Sequence, residues 1–178
     1  MLEEVIFAGF GGQGMLLAGQ FIAYAGLNEG KNVSWLPSYG PEMRGGTANC
    51  SVIVSDEEIG SPVIVEPDAL IVMNRPSLEK FEKTVKKGGT LIINSSLIDV
   101  KATRDDIHVI YVPANGIAEE IGNTKVANMV ILGAYIEKSG VVNVKSVLDV
   151  IEKKMGAKKA HLVPINEEAL KRGAACVE

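Results

Sequence analysis

The stretch VIFAGFGGQGMLLAGQ, residues 5–20, joins a continuous apolar run to a turn rich in glycine and then to an amphipathic segment. In that segment apolar residues recur at the spacing of one helix face, namely Ala18, Phe21, Ile22 and Ala25. Gly30 is placed to end the helix with a positive φ. The stretch therefore predicts a buried strand, a glycine turn and a helix, which is the first unit of an α/β fold.

Five further apolar runs of strand length follow along the chain. They are VSWL (33–36), ANCSVIV (48–54), ALIVM (69–73), TLIIN (90–94) and HVIYV (108–112). Nearly all are continuous rather than alternating, which is typical of strands that are buried on both faces. We therefore predict one α/β domain over residues 1–178, a three-layer α/β/α, Rossmann-like arrangement with a mostly parallel sheet.

Further helices are predicted from periodicity and from their end signals. They cover 76–85, 126–140, 144–155 and the tail after Pro164. Pro76 suits a first helical position, and Gly88 follows as a stop. Asn143 is a suitable N-cap for the third of these helices, and Gly156 is suited to close it.

Composition and charge exclude several classes of protein. A net charge of −4 and an aromatic content of 5% argue against nucleic-acid binding, which needs a basic face or stacking rings. The uncharged window from Val5 to Asn28 is long enough for a membrane span, but six glycines and two glutamines interrupt it. Glu3 and Glu4 stand where a secretory signal needs positive charge, so we expect a cytoplasmic protein that does not bind membranes.

The residues that most often carry catalysis or bind metals are few. Cys50 and Cys176 are too far apart for an iron–sulfur or zinc signature, so no metal site is predicted. Cys50 lies in an apolar run and is predicted to be a reduced core thiol. His108 and His161 each begin a predicted strand without a neighbouring nucleophile, and surface or edge positions are favoured over a general-base role.

Gly9, Gly11 and Gly14 form a G-x-G-x-x-G pattern between the first strand and helix. Glycines there let the backbone turn sharply and approach a phosphate, and free N–H groups at the helix start attract its charge. A nicotinamide site is disfavoured because the second strand ends without an acidic residue. A P-loop is disfavoured because Lys and Ser or Thr do not follow the last glycine. The alternative stays open that the glycines only allow helix and strand to pack closely.

A second glycine-rich loop, LPSYGPEMRGGTANC (36–50), leaves the second strand. In a parallel sheet with right-handed crossovers this loop and the first both lie at the carboxyl edge of the strands. Together they predict a pocket for an anionic ligand, with the guanidinium of Arg44 as a forked donor. The alternative is a solvated loop in which Arg44 pairs with Glu42.

The two segments taken together carry a resemblance to a known family. GFGGQGMLLAGQ with SYGPEMRGGTANCSVIVS closely resembles the gamma subunit, or gamma domain, of the 2-oxoacid:ferredoxin oxidoreductases, which are thiamine-dependent enzymes that make acyl-CoA. The resemblance continues through 61–74, 88–94 and 113–134, about three quarters of the chain. SYGPEMRGG looks more like the 2-oxoglutarate and branched-chain types than the pyruvate types, which tend to read ERRG, and a 2-oxoglutarate type is predicted.

The resemblance implies a division of labour between subunits. Thiamine diphosphate, Mg²⁺ and iron–sulfur clusters are expected in partner subunits, and this chain alone is expected to bind no cofactor, to have no catalytic residue and to be inactive. Coenzyme A is expected as co-substrate at a shared site. The candidate binding residues on the two matched loops are Gly9, Gly11, Gly12, Gln13, Gly14, Ser38, Tyr39, Arg44, Gly45 and Gly46. Alternatively, the same loops dock against the thiamine-binding subunits.

The expected partners are alpha and beta subunits, with a ferredoxin-like delta subunit left open, and ferredoxin as electron acceptor. Two other classes also stay open, a stand-alone dinucleotide-binding oxidoreductase and a non-catalytic assembly module. A subunit of this kind is expected to expose apolar surface and to self-associate when isolated, because obligate interfaces resemble a domain core cut in half.

Overall fold

The structure, a computed structural model, describes residues 1–38 and 47–177. The strands are β1 (Leu2–Phe10), β2 (Asn32–Ser38), β3 (Thr47–Ser55), β4 (Ala69–Val72), β5 (Thr90–Asn94) and β6 (His108–Val112). The helices are α1 (Met15–Asn28), α2 (Arg75–Phe81), α3 (Ala114–Ile121), α4 (Ala127–Ser139), α5 (Val144–Met155) and α6 (Val163–Ala174).

The six strands form one sheet in the order β2-β3-β1-β4-β5-β6. Strands β1, β4, β5 and β6 pair in parallel, whereas β3 is antiparallel to both β1 and β2. The predicted α/β class with a mostly parallel sheet is therefore confirmed. The run 48–54 is the exception, because its strand turns back directly beside β2 rather than crossing over to the same direction.

Alternate side chains of β1 enter two separate apolar clusters. Val5 and Phe7 belong to the larger cluster, which also holds buried residues of α1, α3, α4, α5 and α6. Ile6 and Ala8 point to the other face, where α2 contributes Leu78. Because α2 packs on β4 and β1, the second face is covered unevenly. Leu36, which shares a row of that face with Ile6, is 44% exposed.

Two sequence predictions about secondary structure were wrong. The helix predicted over 76–85 ends at Phe81 and continues as a 3₁₀ turn, Glu82–Thr84. Buried Glu82 explains the change, because its Oε1 accepts the N–H groups of Thr103 and Arg104 and fixes the chain at this point. His161 does not begin a strand, since it lies in the 3₁₀ segment Ala157–Leu162 that leads directly into α6.

Helices α4 and α6 cross at unusually short range. A Cβ built on Gly133 would collide with the carbonyl group of Leu170, and one on Gly173 would collide with that of Val130. The two backbones are therefore in direct contact at the crossing. Only glycine at both positions permits this arrangement.

Candidate functional site at the carboxyl edge of the sheet

The chain turns from β1 into α1 through Gly11, Gly12, Gln13 and Gly14. Gly12 and Gly14 have φ angles of 93° and 77°, in the left-handed region that costs other residues about 1–2 kcal/mol. The N–H of Gln13 donates to the carbonyl of Phe10 over 3.1 Å and closes the turn. None of the described side chains caps α1 at Gly14, so N–H groups in its first turn remain available to another acceptor.

The glycines of this turn divide into two kinds. A Cβ on Gly9 would lie 2.7 Å from Oε1 of Gln13 and 3.1 Å from Cβ of Met73, and one on Gly14 would overlap the amide of Asn128. Close packing therefore accounts for Gly9 and Gly14. At Gly12 no described atom lies within 4 Å of the Cβ position, and both Gly11 and Gly12 are exposed. These two leave bare backbone that a ligand can approach.

The side chain of Gln13 fixes the turn to the neighbouring strand end. Its Oε1 accepts the N–H of Phe10 over 2.6 Å and lies 3.5 Å from the Nδ2 donor of Asn74. Its Nε2 donates to the carbonyl of Met73 over 3.3 Å. Both ends of the amide are thus engaged within the protein, which favours a supporting role over direct ligand contact.

The second glycine-rich loop begins and ends at this same edge. Ser38, the exposed last residue of β2, is in register with Asn49, and Thr47 at the start of β3 is in register with Phe10. Residues 39–46 lie between these positions and outside the described residues. The predicted roles of Tyr39, Arg44, Gly45 and Gly46 therefore stay predictions.

Sequence reasoning missed two buried asparagines that follow the next strands along the sheet. Asn74 comes just after β4, and its Oδ1 accepts the N–H of Ser77 over 2.8 Å, which caps α2. Asn94 ends β5, and its Oδ1 accepts the N–H of Ala114 at the start of α3. Both follow an apolar run directly in the sequence, as ALIVMN and TLIIN, and this was the signal that could have found them.

A small open cleft of about 160 Å³ lies beside the glycine turn. It is lined by Gly12, Gln13, Met73, Asn115, Thr124, Lys125, Ala127 and Asn128. Sites that enclose a whole small molecule usually measure about 300–1,000 Å³. This cleft is therefore of the size for one group of a larger ligand.

Cys50 is buried and both histidines are exposed, as the sequence predicts. Burial raises the pKa of the Cys50 thiol to about 12, so it is not a thiolate near neutral pH. His108 and His161 are both exposed, as predicted. Across the described ranges, no group of three or more His, Cys, Asp or Glu side chains is arranged to hold a metal ion. None of the described helices combines the length and apolar character that a membrane span needs.

The chain is an α/β domain with an open, mostly parallel sheet and a bare glycine turn at its carboxyl edge. In open α/β sheets generally, ligands bind at this edge. The chain belongs to the pyruvate ferredoxin/flavodoxin oxidoreductase family, whose sequence pattern it matches over residues 4–176.

Curated relatives carry the names of subunits of such enzymes. The ketoisovalerate oxidoreductase subunit VorA of Methanothermobacter marburgensis is 42% identical over 133 residues, which make up 75% of this chain and 28% of VorA. This chain thus spans little more than a quarter of that relative. The 2-oxoglutarate synthase subunit KorC of the same organism is 40% identical over 159 residues, 85% of this chain and 86% of KorC.

Solved structures share the fold over almost the whole chain. The gamma subunit of a keto/oxoacid ferredoxin oxidoreductase from Geobacter sulfurreducens has a TM-score of 0.83 at 30% identity, with 98% of this chain and 97% of that one covered. The 2-oxoglutarate:ferredoxin oxidoreductase of Magnetococcus marinus, solved with 2-oxoglutarate, coenzyme A and succinyl-CoA bound, has a TM-score of 0.89 at 25% identity. The matched region covers 98% of this chain and 31% of the Magnetococcus marinus chain. The resemblance to gamma subunits is confirmed.

Proposed function

We propose that this chain, as one domain of a cytoplasmic complex, helps to bind coenzyme A in a 2-oxoacid:ferredoxin oxidoreductase and helps to assemble the enzyme. The observation that carries the proposal is the exposed backbone of Gly11 and Gly12 beside a polar cleft at the carboxyl edge. Backbone N–H groups at a helix start suit an anionic phosphate. The Magnetococcus marinus relative, which contains a domain of this fold, was solved with coenzyme A bound.

The proposed site uses the two loops in different ways. The N–H groups of Gly11, Gly12 and Gly14 and the guanidinium of Arg44 hold phosphate groups, since forked Arg donors match phosphate oxygens. The N–H of Gln13 is already engaged by the carbonyl of Phe10. Ser38, Tyr39, Gly45 and Gly46 shape the adjoining wall. Gly9 and Gln13 act one step away from the ligand, because their contacts hold the turn in its conformation.

The rest of the reaction belongs to partner subunits in this proposal. Thiamine diphosphate with Mg²⁺ and the iron–sulfur clusters are held by the alpha and beta subunits, with a ferredoxin-like delta subunit left open. Iron–sulfur clusters need clustered cysteines, whereas the two cysteines of this chain lie 126 positions apart, at 50 and 176. The complex decarboxylates a 2-oxoacid, transfers the acyl group to coenzyme A and passes the electrons to ferredoxin. We propose 2-oxoglutarate as the oxoacid, supported by the likeness to KorC, whereas the likeness to VorA supports a branched-chain oxoacid.

The test is steady-state kinetics of the complex reconstituted with its partner subunits. Arg44→Ala is expected to raise the apparent KM for coenzyme A about tenfold or more and to leave the KM for the oxoacid unchanged. Arg172→Ala is the matched control, because it removes the same side chain outside the proposed site. Arg172 lies on α6 and pairs with Glu120 on α3. An unchanged KM for coenzyme A would remove Arg44 from the site. A panel of oxoacids in the same assay identifies the substrate.

A purely structural role is the second candidate, and the unevenly covered second face of the sheet favours it. Phe10 and Leu36 are 39% and 44% exposed there, as in a surface that a partner covers. This role predicts normal coenzyme A kinetics after every loop substitution. A stand-alone dinucleotide enzyme is less favoured, because β2 ends at Ser38 without the acidic residue that would hold a ribose.

A further inference from the structure

The cleft beside the glycine turn has a second wall that the sequence analysis did not single out. Thr124–Val126 forms a single 3₁₀ turn that leads into α4, and Asn123 caps it by accepting the N–H of Lys125 over 3.1 Å. The backbone of this wall is therefore fixed. Its side chains face the exposed backbone of Gly12 across the cleft.

Lys125 is the one charged side chain among the described residues that line the cleft. It is exposed, and its ammonium has no partner in the described part of the chain. An unpaired cation beside free backbone N–H groups gives this cleft a positive character. Such a combination selects for an anion.

Two asparagines complete the polar lining with donors and acceptors that no described residue uses. Asn115 Oδ1 accepts from Asn94 Nδ2 over 2.8 Å. No described residue accepts from the Nδ2 of Asn115, which can therefore donate to a ligand. Asn128 is only 7% exposed, and its Nδ2 donates to the carbonyl of Gly14 over 3.3 Å. Its Oδ1 accepts no hydrogen bond within the described ranges, although this side chain lines the cleft. This oxygen therefore remains available to accept a hydrogen bond from a ligand or from water.

We propose that this cleft binds a phosphate group of coenzyme A, with Lys125 as its cation and the amide of Asn115 as a further donor. This proposal rests on the proposed function and adds the residues on the second side of the cleft to the coenzyme A site. The volume of about 160 Å³ suits a phosphate or diphosphate rather than a whole nucleotide. Asn128 Oδ1 then accepts from a hydroxyl or N–H next to the phosphate. Coenzyme A carries such groups beside both its diphosphate and its 3′-phosphate.

The test compares Lys125→Met with Lys87→Met in the reconstituted complex. Lys87 is an exposed lysine in the loop that precedes β5, at the opposite edge of the sheet, so it provides the same change in charge away from the cleft. Lys125→Met is expected to raise the apparent KM for coenzyme A about tenfold or more, and Lys87→Met less than about twofold. Lys125→Arg keeps the charge and is expected to retain most of the binding.

Repeating the titration with 3′-dephospho-coenzyme A identifies the phosphate. If the effect of Lys125→Met disappears with that analogue, the cleft takes the 3′-phosphate, and if it persists, the cleft takes the diphosphate. Equal KM values for Lys125→Met and Lys87→Met would overturn this inference and leave the proposed function standing. A wild-type complex whose rate does not depend on coenzyme A would overturn both.

Discussion

Glycine has two separate purposes in the turn between β1 and α1, and substitution can tell them apart. Gly14 has both a positive φ and a Cβ position occupied by Asn128, whereas Gly12 has a positive φ in open space. Gly14→Ala is therefore expected to lower the free energy of unfolding by about 2–4 kcal/mol, and Gly12→Ala by about 1–2 kcal/mol. Urea denaturation measures both. Equal losses would mean that packing against Asn128 is not tight.

Glu3 makes stability depend on pH at the opposite edge of the sheet. Burial, and then the charge of Asp68, raise the pKa of Glu3 to about 7, while the hydroxyl of Tyr135, 3.4 Å away, and the more distant Lys86 act against the rise. The folded protein thus binds a proton that the unfolded chain, with a pKa near 4.5, releases. Proton binding by Glu3 therefore contributes fully to the free energy of unfolding below about pH 4.5, and this contribution is lost as the pH rises through 7.

We therefore expect Glu3→Gln to stabilise the protein at pH 8 by about 1–2 kcal/mol, and to have little effect at pH 5. Denaturant unfolding at several pH values between 5 and 8 measures the difference. Asp105→Asn, a substitution at an exposed carboxylate, controls for the loss of one negative charge. A wild-type stability that does not fall over this range would show that Glu3 remains ionised.

At the scale of elements, the crossing of α4 and α6 is the contact that tolerates least change. Gly133→Ala or Gly173→Ala would force the two backbones apart, and each is expected to cost about 3 kcal/mol or more. Gly116→Ala in α3 is the matched control, because its Cβ would meet only Ser96 Oγ at 3.8 Å and alanine favours helix. Thermal and denaturant unfolding measure all three. A loss for Gly133→Ala no larger than that for Gly116→Ala would contradict a backbone contact.

The positions of the strands could be predicted from sequence, but the direction of β3 could not. Continuous apolar runs mark buried strands because both faces of the sheet are covered near its centre. The apolar pattern of residues 48–54 is the same for a parallel and for an antiparallel strand, so it does not indicate the direction of β3. Helix α3 was missed because Pro113 and Gly116 in PANGIAEE read as a turn, although Pro113 stands just before the helix.

The candidate site was predictable only where backbone chemistry dictates residue type. The glycine turn was found because positive φ angles and close packing leave few choices at Gly12 and Gly14. Lys125 gave no such signal, because a lysine between Thr124 and Val126 reads as a solvated side chain. Its place beside the turn depends on how α4 packs, and that is a property of the assembled fold.

For the molecule as a whole, the exposed apolar residues on the second face of the sheet predict association. The isolated chain is expected to form oligomers, because Phe10 and Leu36 remain exposed on that face although α2 packs on β4 and β1. Leu36→Ser should shift the distribution toward monomer, whereas Leu27→Ser on α1, also exposed, serves as the control. Sedimentation velocity over a range of concentrations measures the change. A chain that is monomeric throughout would show that this face needs no cover.

The position of β1 in the sheet has a consequence for how the protein is made. Among the strands of this domain β1 is synthesised first, yet it lies in the middle of the sheet between β3 and β4, which end at Ser55 and Val72. Its apolar residues stay without partners until both later strands have been synthesised. Long-range pairing of this kind slows folding and leaves nascent chains open to aggregation. A chain arrested before β4 would therefore engage chaperones far more than one arrested after it.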